Sequence, residues 1–214
     1  MPYGYLGQNQ PNQTVSNSGV FSITDVAELQ SQGKLGGSLE LIEEQTVSAV
    51  AGFDLTNIKE NVYDVHLLQF NSVHTTSNTS NTYYRLRVST DGGSSFVTSG
   101  YQYAYQDGSS AGAFNEYKST SASEMFLTFT SDNATNNANA NGYCYIYNLG
   151  NSSKYSFTTF QSIGQINNST NYMWFGGNVY PQANIVNALN ISTSTGFNFD
   201  GHFKLYGVKQ IWVT

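Results

Sequence analysis

Charge is what this 214-residue sequence has least of. Only 10% of its residues are Asp, Glu, Lys or Arg, where a globular chain carries about 25%. Eight of them are cationic and the net charge is −6. No basic stripe exists to neutralise phosphates, so nucleic acid is not expected as a partner. A single cysteine, Cys144, excludes an internal disulfide framework. It sits in the alternating run Tyr143-Cys144-Tyr145-Ile146-Tyr147 and reads as a small strand residue. No apolar run approaches the roughly 20 residues of a helical membrane span. The opening Met1-Pro2-Tyr3-Gly4-Tyr5 has neither the basic nor the apolar region of a secretory signal, so none is expected. No βαβ spacing, fixed-period repeat, nucleophile elbow or phosphate loop occurs.

Aromatic residues are plentiful. They make up 14% of the chain, with 16 Tyr and 13 Phe, enough to build a core that a disordered chain could not. With so few charges, the polar surface must come from Ser, Thr, Asn, Gln and Tyr hydroxyls. Such a surface is neutral and hydrogen-bonding. It suits glycans or neighbouring copies in an assembly.

Period-2 alternation recurs along most of the chain. Strands are predicted at Thr46–Leu55, Val62–Val73, Tyr83–Thr90, Ser95–Tyr105, Glu124–Thr130, Gly142–Asn148, Tyr155–Gln161, Tyr172–Val179 and Ile185–Ser192. A closing strand ends at Val208. Ser38 to Thr46 fits either a helical or a strand period. In the closing strand Phe203, Leu205 and Gly207 share one face, and His202, Lys204, Tyr206 and Val208 the other. Phe203 and Leu205 are expected in the core, with Lys204 and Tyr206 exposed or at a subunit contact. The partner expected for this strand is Thr46–Leu55. Asp107–Gly112 and Asp132–Gly142 are expected as the longest loops. Short strands at this spacing, joined by Gly/Asn/Ser-rich connections, predict an all-β fold, an antiparallel β-sandwich or jelly roll.

Residues 1–45 differ from the rest. Gly, Gln, Asn and Pro dominate the start, with Tyr3, Tyr5, Leu6, Val15, Val20 and Phe21 as hydrophobic beads. A frayed tail would have this pattern, and so would an extended arm anchored on another subunit, which is the reading expected here. Ser22 to Gln32 predicts one short helix, with Ser22 and Asp25 placed as a capping box and Gly33 past its end. At eleven residues such a helix is marginal alone and must pack on something. The organisation expected is an arm and helix over 1–45 and a β-sandwich over 46–214.

The chemistry is sparse. His66, His74 and His202 lack metal-ligand spacing, so no metal or other cofactor is expected. Two acids flanking a sugar would be needed for a glycoside hydrolase. Glu116 and Glu124 are the pair to weigh, without a supporting pattern, and no enzyme is expected. A sugar-binding surface is the alternative that the residues offer. Tyr101, Tyr103 and Tyr105 share one strand face, with Trp174 near a loop end, and aromatic faces pack on sugar rings. The competing reading of the same ladder is a structural one, stabilising the sheet.

The runs Tyr63-Asp64-Val65-His66 through Phe70-Asn71-Ser72-Val73, Leu86-Arg87-Val88-Ser89-Thr90-Asp91-Gly92-Gly93-Ser94-Ser95-Phe96, Gly100-Tyr101, and Phe203-Lys204-Leu205-Tyr206-Gly207-Val208 resemble a β-sandwich module of tailed-bacteriophage virion proteins, over about Thr46 to Lys209. The segment from Gly4-Tyr5-Leu6-Gly7 to Leu41-Ile42 resembles leader segments of marine-phage virion proteins, cyanophages among them. The resemblance implies a virion structural role, as tail fibre, neck or tail appendage, or head decoration, and no catalytic residues. It implies assembly in the host cytoplasm into the virion. The partners expected are sister copies, with a trimer or ring most in keeping, other virion proteins and a host-surface glycan.

Overall fold

The computed structural model describes residues 38–76, 82–130, 139–166, 170–194 and 196–209, together with Thr24. The arm residues Tyr3, Tyr5, Leu6, Val20 and Phe21 lie outside the described residues. So does the helix expected over Ser22–Gln32, apart from Thr24. The chain divides into two compact units, Met1–Glu40 and Leu41–Thr214, and the second carries the β fold.

Twelve strands are described: β1 Leu39–Val50, β2 Gly52–Leu55, β3 Val65–Thr75, β4 Thr82–Ser89, β5 Tyr101–Ser109, β6 Phe114–Ala122, β7 Met125–Thr130, β8 Ala140–Tyr147, β9 Ser156–Ile166, β10 Thr170–Tyr180, β11 Ala188–Thr193 and β12 Phe199–Val208. They form an eight-stranded sheet in the order β1-β12-β3-β8-β9-β10-β5-β6 and a four-stranded sheet in the order β2-β11-β4-β7. Strand β2 pairs with β11, β3 with β8 and β4 with β7, all antiparallel. Strand β1 lies beside β12. Contacts Glu44–Lys204, Thr46–His202 and Ala49–Asp200 show that these two also run in opposite directions.

These four pairs nest as a folded double ribbon, so that β1-β12-β3-β8 faces β2-β11-β4-β7. That is a jelly roll, an antiparallel β-sandwich of two four-stranded sheets. The remaining strands are two hairpins, β5–β6 and β9–β10. They join edge to edge beyond β8 and double the width of one sheet.

Alternation explains the core. On β12, Phe199, Phe203 and Leu205 are buried, while His202 is exposed and Lys204 and Tyr206 half-buried. Burying Phe203 and Leu205 stabilises the fold by on the order of 2 kcal/mol each. On β4, Tyr84, Leu86 and Val88 point inward against outward Tyr83, Arg85 and Arg87. Phe53, Phe199, Phe203 and Tyr84 form an aromatic cluster between the sheets, with ring centroids 4.9 to 6.3 Å apart. Asn178 is buried because every polar atom of its amide is engaged. Its Oδ1 accepts from Phe126 N, and its Nδ2 donates to Phe126 O and Thr158 Oγ1. This one side chain ties the two sheets together.

Strand runs back to Leu39, which settles the open reading of Ser38–Thr46 in favour of strand. Several expectations are corrected. The single strand expected at Thr46–Leu55 is two. Ala49 adopts a left-handed φ of 53°, and beyond it the chain leaves the large sheet for the small one. The closing strand therefore has β1 on one side and β3 on the other. Ser95–Gly100 is irregular and β5 begins only at Tyr101. Asp107–Ser109 belongs to β5, and β6 follows a short turn where no strand was expected.

Candidate functional site

The tyrosine ladder is structural at two of its three rungs. Tyr101 is 0% exposed. Its hydroxyl donates to Val97 O and accepts from Val88 N, which fastens the irregular segment before β5 to β4. Burial pushes its pKa up to about 12. Tyr105 is buried and stacks on Phe126 at 4.2 Å. Trp174 is 3% exposed and packs on Phe129 and Tyr172. The rings of Tyr101, Tyr105 and Trp174 are therefore not offered to a sugar. Tyr103 is half-buried beside Tyr105.

The acids are likewise not brought together as a catalytic pair. Glu116 is exposed on β6 of the large sheet and accepts from Gln106 Nε2. Glu124, beside β7 of the small sheet, is clasped by Arg85 and Arg87 and by the Ser123 hydroxyl. His66 is fully buried, His74 contacts Asp200 at 3.4 Å, and His202 Nδ1 lies 3.1 Å from Thr46 Oγ1. Among the described residues no group of three His, Cys, Asp or Glu could hold a metal ion. Cys144 is buried, and desolvation raises its thiol to about 12, which leaves it protonated and unreactive. Asp91 caps the β4–β5 connection. Hydrogen bonds from Ser95 and then Ser89 hold its carboxyl down at about 2.

The two solvent faces of the sandwich differ sharply. On the small sheet, polar side chains close a chain across the strands. Asn190 donates to Asp54, Ser192 to Asn190, and Arg85 to Ser192 and Glu124. The outer face of the large sheet is aromatic instead. Alternation on β8 turns Cys144 and Ile146 inward, and Tyr143, Tyr145 and Tyr147 outward. Those three rings run one after another at 5.9 and 6.4 Å. Phe157, Ile163, Met173 and Phe175 are exposed on β9 and β10.

Strand register sets these side chains in rows. One row reads Tyr143, Gln161, Phe175, Gln106, Glu116 across β8, β9, β10, β5 and β6. Tyr143 is 39% and Phe175 36% exposed. The Tyr143 hydroxyl donates to Gln161 Oε1, and Gln106 donates to Glu116. The next row, Tyr145, Thr159, Gly177, Ala104, Lys118, is shallow because Gly177 and Ala104 lack bulk. Two open hollows form over this low ground. One, of about 690 Å³, is lined by Gln102, Tyr103, Lys118, Phe157, Thr159 and Val179 among others. The other, of about 390 Å³, is lined by Gln106, Glu116, Lys118 and Phe175 among others. Of the four ring residues singled out in the sequence, Tyr103 borders the larger hollow and the buried Tyr105 the smaller one. The signal for the outer row was present in the Tyr143–Tyr147 alternation. Without β6 and the strand order, nothing in the sequence says that Tyr143 and Phe175 share a face.

No family model and no curated protein matches the chain. Among solved structures it is similar to the CBM2 module of the evolved Dit of Lactobacillus casei BL23 phage J-1. The TM-score is 0.22 and the identity 9%, over 79% of this chain and 70% of that one. A likeness this slight carries no weight for function.

Proposed function

We propose that this chain is a non-catalytic structural protein of a bacteriophage virion. In this reading its β-sandwich is displayed on a tail fibre, tail or neck appendage, or head decoration, and its N-terminal segment joins it to sister copies and other virion proteins. The phage assignment is supported by the motif resemblance at Tyr63–Val73, Leu86–Phe96 and Phe203–Val208. The display role is carried by one observation. Four contiguous strands, β9, β10, β5 and β6, extend a jelly roll that closes without them, and they carry an exposed aromatic face. Function on common folds resides in such grafted surfaces. The test is mass spectrometry and immunogold labelling of purified particles from infected host cultures. Detection at a discrete position on the particle is expected; absence from washed particles overturns the reading. Light scattering of the full chain is expected to report an oligomer that dissociates when residues 1–37 are removed.

A second reading, attachment to a host-surface glycan, is favoured by the alternation of rings and amides on that same face.

A further inference from the structure

The aromatic face has polar groups spaced among its rings. We infer that the row Tyr143–Gln161–Phe175–Gln106–Glu116 is a binding track for an extended neutral glycan, lying across the strands rather than along them. The inference rests on reading this face as the contact surface of the displayed sandwich.

Three observations carry it. The first is spacing. Tyr143 on β8 and Phe175 on β10 are separated by one strand, and two strand spacings amount to about 10 Å. A ring therefore recurs at roughly the length of a disaccharide, with an amide between. Apolar faces of sugar rings pack on such side chains, while amide groups reach the hydroxyls at their edges.

The second is an amide hydrogen bond poorly spent. Gln161 accepts from the Tyr143 hydroxyl, but its Nε2 donates to the thioether of Met173 at 3.6 Å. Sulfur is a weak acceptor. A sugar hydroxyl is a better one, and Gln161 is exposed and able to exchange.

The third is charge. The row ends on Glu116, with Lys118 beside it in the next row. Lys118 and Glu116 both border the smaller hollow, so the track is close to neutral. An acidic polysaccharide would find no cationic cluster there, and a neutral one loses nothing by ionic desolvation. The shallow ground at Ala104 and Gly177 leaves room beside the track for side branches.

The experiment is affinity electrophoresis of the full chain through gels cast with soluble linear β-glucan, mannan or galactan, and with hyaluronan as an acidic control. Retardation by at least one neutral polymer and not by hyaluronan is expected. Phe175→Ala and Tyr143→Ala are expected to weaken it by about tenfold each. Phe175→Trp, which keeps a platform, should retain binding, and Val62→Ser, on an exposed site away from the track, should bind as the parent does. Retardation by none of the neutral polymers, retardation by hyaluronan alone, or binding indifferent to both Phe175→Ala and Tyr143→Ala overturns the inference. Near-unchanged circular dichroism of the variants separates lost binding from lost folding. Particle incorporation is a separate measurement, so failure of the track leaves the virion assignment standing or falling by itself.

Discussion

His66 is a titratable side chain placed where it cannot comfortably titrate. It is fully buried on β3, and its Nε2 lies 2.8 Å from Ile58 O. A carbonyl only accepts, so Nε2 carries the proton. Nδ1 is left bare, buried and without a hydrogen-bond partner among the described residues. Burial lowers the pKa from 6.5. The folded ring therefore stays neutral where the unfolded ring takes up a proton. Stability is fully present above pH 6.5 and is lost progressively as pH falls below it. Thermal melts between pH 8 and 5 should show this decline, and His66→Gln should flatten it. Tyr101 tests a second buried polar group. Tyr101→Phe leaves the Val88 amide without its side-chain acceptor, and urea unfolding should report a loss of about 1–3 kcal/mol. No loss would mean that the Val88 amide had found another partner.

The closing strand shows how far period-2 reasoning reaches. Phe203 and Leu205 fall inward and Lys204 outward because each contact with the small sheet repeats every second residue. Gly207 belongs to the same inward set, and there its lack of a side chain matters. A Cβ at this position would run into the ring of Tyr63. Gly207→Ala should therefore cost about 1–3 kcal/mol, as overpacking does, measured against Val62→Ala as an exposed control. The alternation of β4 was equally readable. Strand β6 was not, because nearly every residue from Phe114 to Ala122 is exposed on both faces and no inward set marks it. The break between β1 and β2 was hidden for another reason. It depends on Ala49 taking a left-handed φ, held by a hydrogen bond from its amide to Asp200, 151 residues away. Local pattern carries no trace of such a partner. Tyr101, Tyr105 and Trp174 stood out as rings in the sequence, yet they belong to the core. Burial follows from which sheet covers which, and the hairpin that supplies β5 was not visible as a hairpin. The outer row had the same obstacle, since its five members come from five strands.

At the scale of the whole molecule, the jelly roll supplies a closed frame and the two added hairpins supply area. The frame's small-sheet face is polar and internally satisfied. The enlarged sheet's face is aromatic and open. A sandwich whose two faces differ in this way has an orientation. The pairing of β1 with β12 then acquires a mechanical meaning. These are the first and last of the described strands, they run in opposite directions, and the rungs between them are Glu44 to Lys204, Thr46 to His202 and Ala49 to Asp200. Tension applied between the start of β1 and the end of β12 meets those rungs one at a time, as in opening a zipper. If the inferred track holds a polymer, tension between β1 and that polymer would instead spread over the whole sheet. Force spectroscopy should find the first geometry yielding at the lower load. An attachment made through the face would then hold under drag that would peel the same domain open by its ends.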